Sequence, residues 1–444
     1  MRAVNPMMGL HGLMMVALVA CGGKKAPEAA TPEPSSTEAP APKGPAVPAD
    51  KLVERALGKL ESDNPSDIEA AKKELELALV QQPDHLEAML NLGVAKHLLD
   101  DLPGAREAYA AVVAAEPTMA KPYLYLGAVD EQQNNFAAAV ARYREGIAQA
   151  PEEMSLRVAL IGVLRKQGKP SDAIEEAKAA LAINANSIEV YNNFGLAYMD
   201  QGNLTLARFI FQKALQSIPE AESNAYIHTN LGWVSYQDGN VPLATSELKK
   251  AVELDDELVP ALVYLARIYM DDKNYADTVP LLESAAERDP TNADVYLTLG
   301  VAYRGVGRLD DAEAAYNKAL ELNPADPSPH FNLGVLLGDF KKDYDGAVAA
   351  FNTYIQAGGD KSALATEYIN EVEKEKKRAA RRQKALEDKR KRDEERAKEK
   401  ALIEEAERKA KDEAPAPEPA TAPEEGAAPS PEPSEAPQPE GGEQ

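Results

Sequence analysis

The sequence predicts an all-α solenoid of about nine helix-turn-helix units, followed by a long charged helix and flanked by disordered ends. Three observations predict it. A small residue recurs at an almost constant interval through the middle of the chain. That middle, roughly residues 52–359, is rich in Ala, Leu and Tyr. Pro, Ala, Glu and Ser dominate both ends. A fixed period of a few tens of residues marks a repeat architecture in which stacked units share one core. Segments poor in apolar residues cannot offset the entropy of ordering and stay unfolded. The net charge of −24 also divides unevenly: residues 1–51 carry +1, 52–360 carry −21, 361–412 carry +4 and 413–444 carry −8. An acidic folded region repels phosphate backbones, which disfavours nucleic acid as a partner.

Residues 1–20 read as a targeting segment. Arg2 supplies a positive charge, and the apolar run Leu13-Met14-Met15-Val16-Ala17-Leu18-Val19-Ala20 follows. It is too short for a spanning helix, which needs about 20 apolar residues. The run stops at Cys21, the only cysteine in the chain, so disulfides within the chain are excluded. Leu18-Val19-Ala20-Cys21 resembles the lipobox of bacterial lipoproteins. The resemblance implies cleavage before Cys21 and attachment of acyl chains such as palmitate through its sulfur, the strong nucleophile of the segment. Two or three chains, at about 0.8 kcal/mol per buried methylene, would hold the protein on a bilayer. The family's sorting rule retains a lipoprotein in the inner membrane when Asp follows the cysteine. Gly22 stands there, which implies the outer membrane, with the domain facing the periplasm. Residues 21–50 then form a Pro/Ala-rich tether.

The solenoid is expected over residues 51–360. The small residue opening each second helix is Ala71, Ala105, Ala139, Ala173, Ala207, Ala244, Thr278, Ala312 and Ala347, at spacings of 34, 34, 34, 34, 37, 34, 34 and 35. A three-residue insertion falls near residues 221–224 and one extra residue falls in the last unit. The unit beginning at Ala293 carries Tyr296, Leu299, Gly300, Tyr303, Ala312, Tyr316, Ala319 and Pro324. The unit beginning at Ile188 carries Tyr191, Phe194, Gly195, Tyr198, Ala207, Phe211, Ala214 and Pro219. Gly and the first Ala let two antiparallel helices approach, aromatic and Leu side chains fill the space between them, and Pro ends the second helix. Gln201-Gly202-Asn203 and similar polar triplets make the turns. The first and fourth units depart from this pattern.

Period and residue types resemble the tetratricopeptide repeat (TPR). The resemblance implies a right-handed superhelix whose concave groove is lined by first-helix positions 2, 5, 6, 9 and 12. Carried over residue by residue, its richest stretch offers Asn192, Asn193, Leu196 and Met199, then Tyr226, Thr229, Asn230, Trp233 and Tyr236, then Tyr264, Arg267 and Met270. Amides can pair with the backbone of an extended peptide, and aromatic faces give contact area at low entropy cost. Asn91, Asn193, Asn230 and Asn332 share one register, like the asparagine ladder of some TPR proteins. A chaperone-binding carboxylate clamp would need Lys and Asn where Leu90, Val94, Leu124 and Ala128 stand.

No nucleophile elbow, phosphate-binding glycine loop or metal-ligand spacing occurs, and His11, His85, His97, His228 and His330 are scattered. The expectation is a protein that is no enzyme, takes no cofactor and binds no small-molecule substrate.

Residues 361–412 read as a charged helix. Ala363, Leu364, Tyr368, Ile369 and Val372 are apolar at helical spacing, as expected of turns that cap a solenoid; beyond them apolar residues are too sparse for a coiled-coil seam. Glu373/Lys377, Glu387/Lys391, Asp388/Arg392, Glu394/Lys398, Glu404/Arg408 and Glu405/Lys409 stand in the favourable i,i+4 order. Lys374 to Arg392 holds eleven Lys and Arg against three acids. Residues 413–444 are Pro, Glu and Ala without a basic residue, as expected of a disordered tail. The whole points to a lipid-anchored scaffold binding envelope proteins through its groove, most like the adventurous gliding-motility TPR lipoproteins. The alternatives are a pilotin-like assembly factor for a type IV pilus or secretin, and an adaptor of peptidoglycan hydrolases.

Overall fold

The computed structural model describes residues 47–62 and 64–412. The targeting segment, Cys21, most of the tether and the tail at 413–444 lie outside the described residues. Nine helix pairs follow one another: α1 (Ala49–Leu60) with α2 (Pro65–Gln81), α3 (Leu86–Leu98) with α4 (Leu102–Ala115), α5 (Ala120–Gln132) with α6 (Phe136–Gln149), α7 (Met154–Lys166) with α8 (Pro170–Ile183), α9 (Ile188–Asp200) with α10 (Leu204–Ser217), α11 (Ala225–Gln237) with α12 (Val241–Leu254), α13 (Val259–Asp271) with α14 (Tyr275–Arg288), α15 (Ala293–Gly305) with α16 (Leu309–Leu322), and α17 (Ser328–Val335) with α18 (Tyr344–Gln356). The array begins at Ala49, two residues before the expected start. A separate long helix, α19 (Ser362–Asp412), follows.

The nine period-marking residues, from Ala71 to Ala347 and including Thr278, are all fully buried. Four residues further on stand Leu75, Tyr109, Tyr143, Ala177, Phe211, Leu248, Leu282, Tyr316 and Phe351, also buried. These large side chains press on the small residue of the partner helix. A Cβ added to Gly127 would sit 2.1 Å from Tyr143 Cε1, and one on Gly195 2.4 Å from Phe211 Cε1. The fourth unit reverses the sizes: buried Ile161 takes the glycine's place and Ala177 the aromatic's. The seventh takes a middle course with Ala266 and Leu282. In these two units the summed volume of the pair is kept while its distribution changes, as suits a close-packed interior; the sixth pairs Gly232 with the smaller Leu248.

Each turn solves two end problems with two consecutive residues. In the second to eighth units the residue two places past the first helix adopts positive φ, at Asp100, Asn134, Gly168, Gly202, Gly239, Lys273 and Gly307, and Lys342 does so after the π-turn of the ninth, the left-handed geometry that closes helix C-termini. The next residue is often an Asn or Asp that caps the second helix: Asn203 accepts from Leu206 N at 3.1 Å and Asp101 from Gly104 N at 3.0 Å.

Both departures from the period have a structural form. The three-residue insertion makes a short 3₁₀ helix, Pro219–Ser223, whose Ala221 is buried. The extra residue of the ninth unit is absorbed as a π-helical turn, Leu336–Lys341. The closing bond there runs from Asp343 N to Leu337 O, six residues back, where Asn203 N reaches Tyr198 O, five back. One added residue is what a π-turn stores, so Gly334 still meets Phe351.

First helices touch one another along most of the array, α7 with α9, α9 with α11 and α11 with α13, whereas second helices make no comparable contact with each other. The row of first helices is therefore the shorter, inner one, and its free face is concave.

The long helix α19 carries only part of the expected ion-pair ladder. Glu373–Lys377, Glu387–Lys391 and Glu405–Lys409 form. Glu394 pairs instead with Arg390 and Glu404 with Lys400, and Arg392 donates to the backbone carbonyl of Asp388. Exposed side chains on a helix have neighbours at both i−4 and i+4, and sequence order alone does not choose between them.

Candidate functional site

The inner face differs along its length. In the second and third units Leu90, Asn91, Val94, His97, Leu124 and Tyr125 are all buried, so that stretch is closed. From the fifth unit onward most of the same positions stay partly open.

Trp233 is the centre of the open stretch. Its ring stacks on Tyr264 of the next unit, centroids 4.2 Å apart and planes 10° from parallel. It also stacks on Tyr236, one turn along α11, at 5.4 Å and 20°. The Arg267 guanidinium lies 5.8 Å from the Trp233 ring centre, within cation–π range. Trp233 packs between units, yet it remains partly exposed, as do Tyr236 and Tyr264. Tyr236 is held by a hydrogen bond from its hydroxyl to Asp271. That bond first, and burial second, raise its pKa; burial raises that of Tyr264. Both rings thus stay neutral.

A polar strip adjoins the stack. Asn230 Nδ2 donates to Asn192 Oδ1 at 2.7 Å, joining two units. Asn193 Nδ2 donates to Glu189 O while its Oδ1 accepts from Arg165 Nη1 at 3.3 Å; Arg165 in turn pairs with Asp200 at 2.7 Å.

The structure therefore brings together Trp233, Tyr236, Tyr264 and Arg267 as one cluster and Asn192, Asn193 and Asn230 as another. Tyr226 stands apart at 56 % exposure. Met199 and Leu196 pack against the core and only partly face the groove. Thr229 is buried, and its hydroxyl donates to Ala225 O at 2.7 Å, so it does not line the groove. The asparagine register is not uniform. Asn91, Asn193 and Asn332 donate their amides to the carbonyl four residues back, and only Asn230 donates to a side chain of another unit.

Sequence reasoning missed the roles of two histidines. Buried His97 meets Gln132 Oε1 at 2.8 Å across units; burial first lowers its pKa. Buried His228 sits between Glu247 Oε2 at 2.7 Å and Glu222 O at 3.1 Å. Burial opposes its charge, but these acceptors together outweigh it and raise the pKa. The partner of His228 stands 19 residues away on α12, at no spacing that marks a site.

Tetratricopeptide-repeat family models match residues 66–120, 126–188, 188–220 and 269–333. A BBSome complex member BBS4 homolog of Drosophila melanogaster is 22% identical over 212 residues, 44% of this chain and 41% of that protein. Type IV pilus assembly protein PilF of Pseudomonas aeruginosa is 26% identical over 173 residues, 38% of this chain and 67% of that protein. A solved structure from a functional characterization of Pseudomonas aeruginosa pilF aligns with a TM-score of 0.42 and 21% identity, covering 47% of this chain and 94% of that one. The chain thus spans about two fifths of the BBS4 homolog and two thirds of PilF. Repeat matches, period and stacked helix pairs agree: residues 66–220 and 269–333 carry tetratricopeptide-repeat matches, and they lie within a TPR-like solenoid of helix pairs over residues 49–356.

Proposed function

We propose that the protein is a membrane-anchored scaffold of the bacterial cell envelope that captures an extended segment of another protein along the open half of its groove. The observation that carries this reading is the Trp233–Tyr264 stack, a partly exposed aromatic platform on the inner face with Arg267 beside it. Stacked rings are rigid, so they offer contact area without the cost of freezing side chains. Asn192 and Asn230 provide amides within reach of a bound backbone. Anchoring at the outer membrane rests on the Leu18-Val19-Ala20-Cys21 segment.

For the machine that the scaffold serves, the likeness to a type IV pilus assembly protein supports a role in pilus or secretin assembly over one in gliding motility. Crosslinking in cells followed by mass spectrometry tests both readings. Recovery of pilus or secretin subunits supports the first, recovery of motility-machine proteins the second, and peptidoglycan hydrolases would replace both.

A further inference from the structure

Helix α19 carries a basic stripe that the scaffold reading does not use. Lys374, Arg378, Arg381, Ala385, Lys389, Arg392 and Arg396 follow one another at spacings of 4, 3, 4, 4, 3 and 4 residues. On a helix of 3.6 residues per turn this puts them on one face, about 33 Å long. Arg382 flanks the stripe, Asp388 lies at its edge, and Glu371 and Glu399 mark where it ends. All these Lys and Arg side chains are exposed. The helix's own acids mostly turn elsewhere: Glu373, Glu387 and Glu394 pair with Lys377, Lys391 and Arg390, off the stripe. Arg378, paired with Glu375, is the exception. Among the described residues no ion pair engages Lys374, Arg381, Arg382, Lys389, Arg392 or Arg396.

We propose that this stripe is the docking surface for the chain's own acidic tail, residues 413–444, held there by salt-sensitive charge pairing. The tail has eight Glu, nine Pro and no Lys or Arg. Its charge of −8 is opposite to the net +6 of residues 374–396, and with no base of its own the tail does not neutralise itself. The reach is sufficient. From Asp412 the stripe begins about 24 Å back and ends about 57 Å back along the helix. A chain of 32 residues can reach at most about 110 Å. Attachment in the same chain holds the tail at about millimolar effective concentration, which favours it over free anionic partners. While seated there, the tail competes with other anionic surfaces for the stripe.

The experiment uses the full chain with Cys21→Ser, carrying Ala385→Cys at the centre of the stripe and Ser434→Cys in the tail, labelled as a fluorescence energy-transfer pair. Transfer is expected to be high at about 10 mM salt and to fall by half or more at 0.5 M. Replacing the eight tail Glu by Gln is expected to cause the same fall at low salt, with an unchanged helical circular dichroism signal. Transfer indifferent to both salt and the Gln tail would overturn the proposal. So would transfer seen only in mixtures of singly labelled chains, which would assign the contact to a second copy. In sedimentation with phosphatidylglycerol vesicles, the unlabelled Cys21→Ser chain with the Gln tail is expected to bind several-fold more than its acidic counterpart, and equal binding would refute the covering of the stripe. None of these readouts involves the groove, so the scaffold reading stands or falls separately.

Discussion

Trp233 and Tyr264 lie face to face on successive first helices, their ring centres 4.2 Å apart. This contact joins two units and at the same time builds the aromatic floor of the open groove. A residue with both duties has to be tested with a readout for each. Trp233→Ala and Tyr264→Ala are expected to weaken capture of a bound segment by about tenfold or more, the range of an aromatic anchor at an interface. The helical circular dichroism signal should be retained. A large loss of helicity at unchanged affinity would reassign the stack to the core alone. Because Trp233 is the only tryptophan, its fluorescence should shift when a partner binds.

Glycine on one helix and a large ring on the next form the second relationship open to test. Gly195→Ala forces a methyl group toward the fully buried Phe211 ring, and overpacking of this kind costs about 1–3 kcal/mol. The double variant Gly195→Ala/Phe211→Leu should recover much of the loss, because the seventh unit uses Ala266 against Leu282 natively. Urea denaturation of the single and double variants checks both statements. Equal midpoints for wild type and Gly195→Ala would show that the ring gives way freely.

Lys273 occupies a left-handed position at φ 56°, where four other turns have glycine. Lys273→Gly should therefore stabilise the protein, by about 0.5–1 kcal/mol, by removing the steric cost of Cβ in that region. Thermal unfolding monitored at 222 nm would register the rise. A fall would mean that the lysine stem makes compensating contacts.

His97 and His228 give opposite pH dependences. The pKa of His228 is raised, so its contribution is complete below the unfolded value of about 6.5 and is lost as pH rises through its folded pKa. That of His97 is lowered, so its contribution is complete above about 6.5 and declines as pH falls toward the folded value. His228→Gln should flatten the alkaline side of the stability profile and His97→Gln the acidic side, measured by denaturation at pH 5, 6.5 and 8. Parallel profiles for the two variants would contradict this assignment.

Cys21→Ser should move the protein from the membrane fraction to the soluble fraction. Two or three acyl chains bind a bilayer far more strongly than any other segment of this sequence would. Unchanged sedimentation with membranes would remove the lipid anchor from the functional proposal.

The repeat was legible in the sequence because its cause is local and recurs. Small residues 34 apart, such as Ala105 and Ala139, must be small wherever two helices cross closely, and all nine marker positions proved to be buried. The two broken intervals were equally visible, although their forms were not: a 3₁₀ turn at Pro219–Ser223 and a π-turn at Leu336–Lys341 depend on how the following helix must dock. The groove was legible as a register and not as a site. Trp233, Tyr236, Tyr264 and Arg267 come together in three dimensions, whereas Thr229, in the same register, turns inward to its own backbone and Met199 packs against the core. Residue type and spacing specify which helix face a side chain leaves from. Its rotamer, its partner in the next unit and whether that stretch of the inner face is open or closed are set by packing between units. Sequence thus determined the solenoid, because each unit repeats the same short-range fit. Tertiary structure decided the binding surface, because that surface is made from contacts between residues some 30 positions apart that no single unit contains.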